Sequence, residues 1–151
     1  MTEPRIVERS RLIAAPVERI LPHVSDLHAW RDWSPWEGLD PDLQRDYSGP
    51  QSGVGATYSW SGNRQAGAGT MCITDVTPAS VDVDVQFTKP FRSTSLSRFR
   101  FAQSDGGTLT TWSMVMPQGF RMRLAAAFIK LDKMLGDDIE KGLAGLAAVV
   151  E

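Results

Sequence analysis

The carboxy-terminal segment limits the fold more than any other part of the chain. Phe120, Leu124, Phe128, Leu131, Leu135, Ile139, Leu143, Leu146 and Val150 recur at steps of three and four. That spacing puts them on one face of a single long amphipathic helix of roughly thirty residues, with Gly136 expected as a weak point or kink near its middle. Such a stripe cannot stay in water and needs a broad apolar surface to lie on. The only segment able to supply one runs from Asp40 to Val115, where the pattern is period two with turn punctuation, the signature of an antiparallel meander.

Upstream, Arg5 to Ile13 alternates as a strand with Ile6, Glu8, Ser10 and Leu12 on one face and Val7, Arg9, Arg11 and Ile13 on the other. Two arginines favour solvent for their face, which turns Glu8 and Ser10 inward. Pro16 suits the start of a helix that runs to about Val24, and Glu18 in its first turn suits the helix dipole. Asp26 is an expected N-cap for a second short helix through Trp33, which Pro35 stops.

Within the meander, Val54, Ala56, Tyr58 and Trp60 share a face. Val81, Val83, Val85 and Phe87 do the same in the clearest strand, opposite Asp82, Asp84 and Gln86. Phe99 and Phe101 face inward from the next strand, Arg98 and Arg100 outward. Asp105-Gly106-Gly107 is a hairpin turn leading to Thr108–Met116, where Trp112 and Met114 share a face. Gly53-x-Gly55 and Gly67-x-Gly69 do not open helices as phosphate loops do, so they read as strand bends or bulges.

With 151 residues the chain is the size of one domain, residues 1–151. Sixteen Lys plus Arg against eighteen Asp plus Glu give a net charge of −2, which argues against a nucleic-acid partner, since gripping a phosphate backbone needs a concentrated positive face. The lone Cys72 excludes an internal disulfide and fits a reducing compartment. One Cys and two His exclude a closed four-ligand zinc site. Met1 to Arg11 has no apolar core like that of a signal peptide, and Leu143–Val150 is far too short to span a bilayer. The expectation is a cytoplasmic domain without integral membrane association, metal or cofactor, either a monomer or a homodimer.

The assembled order is strand, two short helices, about six strands, long helix. It predicts an α+β fold: a curved antiparallel sheet of about seven strands around a long carboxy-terminal helix. A curved sheet and a straight helix cannot touch along their whole lengths, so a gap between them is expected, a concave and mostly apolar ligand cavity.

These elements and several local stretches resemble the helix-grip fold of the START-like superfamily, and specifically its bacterial polyketide cyclase/dehydrase-like SRPBCC members. The stretches are Val7-Glu8-Arg9-Ser10, Ala15-Pro16, Trp30-Arg31-Asp32-Trp33-Ser34-Pro35-Trp36-Glu37 and Asp40-Pro41. Further along they are Gly53-Val54-Gly55-Ala56, Trp60-Ser61-Gly62-Asn63, Gly67-Ala68-Gly69-Thr70-Met71, Lys89-Pro90-Phe91, Thr111-Trp112-Ser113-Met114 and Leu131-Asp132-Lys133-Met134. The resemblance spans the chain and implies a fold and a cavity, not one reaction. The connection Val115–Gly119 is shorter than in many relatives, which bears on any gating by that loop.

Glu8, turned inward, would sit in an apolar gap where an unpaired carboxylate is costly to ionise. It is the candidate catalytic acid or base; the alternative is a structural carboxylate bonded to Trp60, Trp112, Asn63 or an arginine. Trp30, Trp33 and Trp36 either floor the cavity mouth or staple the short helices to the sheet. Asn63 and Arg64 either orient a ligand oxygen or form a solvated turn. The expected ligand-binding set is Trp33, Trp36, Tyr58, Trp60, Asn63, Arg64, Met71, Phe87, Phe99, Trp112, Met114, Phe128, Leu131 and Leu135. His23 and His28 lack a nucleophile at a recognisable spacing and read as surface or capping residues. Asp40, Asp42, Asp137 and Asp138 read as solvated acids, and Cys72 as a small core residue. Three functions fit, in this order: a carrier for a small hydrophobic molecule, lipid-like or polyketide-like; a cyclase or dehydratase acting by orientation with Glu8; and a protein-interaction module.

Overall fold

Seven strands pair in the order β1-β7-β6-β5-β4-β3-β2, every neighbour antiparallel. This computed structural model describes residues 6–36, 40–64, 66–89, 93–115 and 125–151, and their side chains except at 93 and 125–131. In chain order the elements are β1 (Ile6–Ile13), α1 (Val17–Ser25), a single 3-10 turn (Ala29–Asp32), β2 (Gln44–Ser48), β3 (Thr57–Ser61), β4 (Ala68–Thr77), β5 (Ser80–Lys89), β6 (Ser93–Ser104), β7 (Gly107–Val115) and α2 (Ala125–Val150). The expected helix-grip architecture is therefore present, with the second short helix reduced to one turn. The N-cap of that turn is His28, which makes no side-chain cap, and not Asp26 as expected; Asp26 closes α1 instead, and its Oδ1 accepts from the His28 N–H at 2.9 Å.

Burial follows the period-two pattern and sorts the inner face into rows across the strands. One row runs Val81, Phe99, Trp112, Arg9, and the next Ile73, Val83, Ser97, Met114, Val7. Beyond them lie Tyr47, Tyr58, Met71, Val85, Ser95, and then Arg45, Trp60, Gly69, Phe87. Register shifts at Ala68/Gly69 and Ile73/Asp75 bend β4, as bulges do, and confirm the reading of Gly67-x-Gly69. Val54, expected on the face of Ala56, lies ahead of β3 in an exposed turn. Cys72, expected in the core, is half-buried, where it accepts from Thr57 Oγ1 at 3.5 Å.

The faces of β1 are the reverse of expectation. Val7 and Ile13 are fully buried, while Ile6, Glu8, Ser10 and Leu12 are exposed. Arg9 faces inward without being entombed. Its long stem reaches over α2, and its guanidinium meets Asp132 Oδ2 at 3.2 Å and Glu140 Oε1 at 3.5 Å. An arginine on the core side of an edge strand can thus still reach partners at the rim.

Gly136 lies between those two acids on α2, and a Cβ there would run into the Arg9 guanidinium. The glycine makes room for the clamp, and α2 stays helical through it. Gly136→Ala should therefore destabilise the wild type by about 1 kcal/mol. The same change in an Arg9→Ala background should stabilise the helix by up to about 1 kcal/mol, as alanine normally does relative to glycine. A double-mutant cycle by urea denaturation measures this, and simple additivity would mean the clamp is not there.

α2 lies chiefly along β1, with lesser contact to β7, α1 and the 3-10 turn. Ile139, Leu143, Leu146 and Val150 are buried as the stripe predicts, and Leu135 is half-buried. Phe120 and Leu124, and the Val115–Gly119 connection beyond Val115, lie outside the described residues.

Candidate functional site: the inner face of the sheet

Two aromatic groups occupy opposite parts of the inner face. In the first, Phe99 stacks on Trp112 at 4.8 Å between ring centroids, and Trp30, Trp33 and Trp36 meet Trp112 edge-on at 6.1, 5.7 and 5.5 Å. Each of the three indole N–H groups is used structurally. Trp30 donates to Val24 O at 2.8 Å, Trp33 to His23 O at 2.9 Å and Trp36 to Asp138 Oδ2 at 3.3 Å. The triplet staples α1, the 3-10 turn and α2 over the sheet. Trp33, Phe99 and Trp112 are thus core residues, and Trp36, half-buried, borders them.

The second group is a ladder. His28 stacks on Tyr47 at 3.9 Å, Tyr47 on Tyr58 at 4.9 Å and Tyr58 on Trp60 at 5.9 Å. Trp60 then meets Phe87 edge-on at 5.6 Å. The Trp60 indole lies over Gly69, where a Cβ would come within 2.6 Å of the ring, and its N–H donates to Ala66 O at 2.9 Å. Tyr58 is buried, whereas Trp60 and Phe87 are only half-buried. Next to them the face is floored by Met71, Val85 and Met114, all buried, with two buried serines, Ser95 and Ser97.

The predicted ligand-binding residues therefore divide. Tyr58, Trp60, Met71, Phe87 and Met114 lie together on the inner face around the ladder, Trp60 and Phe87 half-buried and the other three buried, and Leu135 of α2 is half-buried. The side chains of Phe128 and Leu131 lie outside the described residues. Asn63 and Arg64 stand exposed in the β3–β4 turn, where Asn63 Oδ1 accepts from the Ala66 N–H at 3.0 Å. Asp40, expected to be merely solvated, fastens that turn by accepting from the Asn63 N–H at 2.8 Å. Asp138 likewise has a structural task, through Trp36.

Glu8 is not on this face. It lies exposed on the outside of β1, where its Oε2 accepts from Ser113 Oγ at 2.7 Å. The reversed strand face removes the reason for giving it an interior acid/base task.

The two serines were missed from sequence, yet the signal was there. Counting back by twos from Phe101 and Phe99 along β6 arrives at Ser97 and Ser95. Ser95 Oγ is buried without a hydrogen-bond partner among the described residues, as are Thr110 Oγ1, Trp112 Nε1 and His23 Nδ1. No group of three or more potential metal-ligating side chains occurs among the described residues.

Residues 4–151 match the family described as Polyketide cyclase / dehydrase and lipid transport. The chain belongs to this family. Structural similarity agrees with membership of the polyketide cyclase/dehydrase family at the level of fold. Ara h 8.0201 is similar with a TM-score of 0.68 at 12% identity, covering 98% of each chain. A protein from Chromobacterium violaceum is similar with a TM-score of 0.67 at 14% identity, covering 97% of this chain and 96% of its own. DynU16, from the dynemicin biosynthetic locus, is similar with a TM-score of 0.63 at 15% identity, covering 95% of this chain and 46% of its own. Comparison with curated proteins gives no match. No helix among the described residues is long and apolar enough to cross a membrane.

Proposed function

We propose that this member of the family binds a small hydrophobic molecule against the inner face of β3–β6, as a carrier or sequestering protein. The observation that carries the reading is the pair Trp60 and Phe87: large rings, only half-buried, on the inner face of a curved sheet whose neighbouring rows are buried. An apolar surface of this shape, beside a helix that lies mainly along the far edge strand, suits a guest of the size other concave sites take. The family description, naming lipid transport together with polyketide chemistry, supports a hydrophobic guest. A cyclase or dehydratase reading loses its acid/base group with Glu8 on the outer face. Binding alone needs no such group.

The fluorescent dye 1-anilinonaphthalene-8-sulfonate should bind the folded protein and brighten. Trp60→Ala and Phe87→Ala should each weaken that binding by about tenfold, equivalent to ~1.4 kcal/mol. Ile6→Ala, on the exposed outer face, should leave it unchanged. Failure of the wild type to take up any apolar probe, or equal affinity in all three variants, counts against the site.

A further inference from the structure

Ser95 is the odd residue of the inner face. It sits at the end of the row Tyr58, Met71, Val85, Ser95, diagonal to Phe87 across β5 and β6. Only 5% of its surface is exposed, and its hydroxyl has no partner among the described residues. A buried hydroxyl left unpaired costs free energy, whereas an alanine there would not. Trp112 Nε1 and Thr110 Oγ1, also buried on the inner face without a partner among the described residues, do not compete with it for a guest. Trp112 Nε1 belongs to the ring that Trp30, Trp33 and Trp36 surround, and Thr110 lies a further step along β7, away from Met114 and the row of Ser95.

Resting on the binding role above, we infer that the guest carries a neutral oxygen, a hydroxyl or a carbonyl, that pairs with Ser95 Oγ while its apolar body lies against Phe87 and Trp60. A serine hydroxyl both donates and accepts, so it serves either oxygen. The charge of the guest follows from the surroundings. Among the described residues the inner-face neighbours of Ser95 are Val85, Phe87, Met71, Ser97 and Met114, none of them ionisable. A carboxylate brought there would lose its hydration without gaining a counter-charge from these residues. The specificity is therefore of the kind in which a site built around a polar group discriminates strongly, while apolar contacts around it discriminate weakly.

Three flat probes of nearly one shape separate the possibilities: naphthalene, 2-naphthol and 2-naphthoate, titrated calorimetrically into the wild-type protein and into Ser95→Ala. The wild type should bind 2-naphthol about tenfold more tightly than naphthalene, the margin of one buried hydrogen bond. It should bind 2-naphthoate more weakly than 2-naphthol. In Ser95→Ala the naphthol preference should vanish while naphthalene affinity stays put, and the unfolding midpoint should hold or rise, since no bond is lost. Equal binding of naphthalene and 2-naphthol to the wild type overturns the inference and leaves the binding role standing. So does a naphthol preference that survives in Ser95→Ala. Tightest binding of 2-naphthoate overturns the neutral character of the guest's oxygen. If none of the three binds, the role itself fails, and the inference with it.

Discussion

Trp112→Ala should lower the free energy of unfolding by about 3–5 kcal/mol, the usual range for removing a fully buried aromatic from a core. Trp112 is fully buried. Four rings depend on it: Phe99 stacked at 4.8 Å, and Trp30, Trp33 and Trp36 set edge-on around it. The helix packs directly on it too, since a Cβ at Gly142 would come within 2.7 Å of its ring. Its indole N–H has no partner among the described residues, so the loss is one of contact area and ring geometry, not of a hydrogen bond. Trp112→Phe should therefore recover much of the stability by keeping the stack on Phe99. In thermal unfolding the alanine variant should melt on the order of 10 °C lower. A shift no larger than that of Trp36→Ala, at the half-buried border of the cluster, would show that Trp112 is not its centre.

Gly107→Ala should cost about 2–4 kcal/mol, combining a strained backbone with an overlap that nothing can relieve. Gly107 opens β7 with φ +151°, and a Cβ there would overlap the carbonyl oxygen of Ile13 and lie 2.9 Å from Ala14 Cα. Both obstacles are backbone. The Ile13 carbonyl is also fixed in place, because it accepts from the Ala15 N–H at 2.8 Å, and Thr108 Oγ1 donates to Ala15 O at 2.8 Å. Gly106, one residue earlier, supplies the comparison. Its φ of +88° disfavours any side chain, yet the nearest atom to an added Cβ is Leu12 Cδ2 at 3.9 Å. Gly106→Ala should thus cost only the conformational penalty, about 1 kcal/mol. Urea denaturation of both variants tests the ordering; equal costs would mean that the contact with β1 plays no part.

The architecture could be read from residues because the two periods in this chain are clean. Alternation from Val81 to Val85 and the three–four spacing from Ile139 to Val150 each place the same side chains in the core that the structure buries, with Phe87 and Leu135 half-buried at the ends of the two patterns. The faces of β1 could not be read that way. Alternation identifies two sets of residues without saying which set is inside, and Arg9 misleads because a long side chain can begin in the core and end at the rim. Glu8 fell with that assignment. The Trp30, Trp33, Trp36 triplet shows a different limit. Its composition suits both a stacking surface and a staple, and only the carbonyl and carboxylate partners of the three indoles decide for the staple. Ser95 carries no apolar signal of its own, and only its register with Phe99 marks it as inward.

The first strand hydrogen-bonds to the seventh, with Ser113 and Glu8, 105 positions apart, joined across them. As the polypeptide leaves the ribosome, β1 emerges early and has no partner until β7 has been made. Its apolar residues, Val7 and Ile13, stay uncovered throughout that interval. Pairs this distant in sequence make for slow folding and leave the nascent chain prone to sticking to others. Yield in a cell should accordingly respond to translation speed and chaperone supply more than the finished domain's stability would suggest.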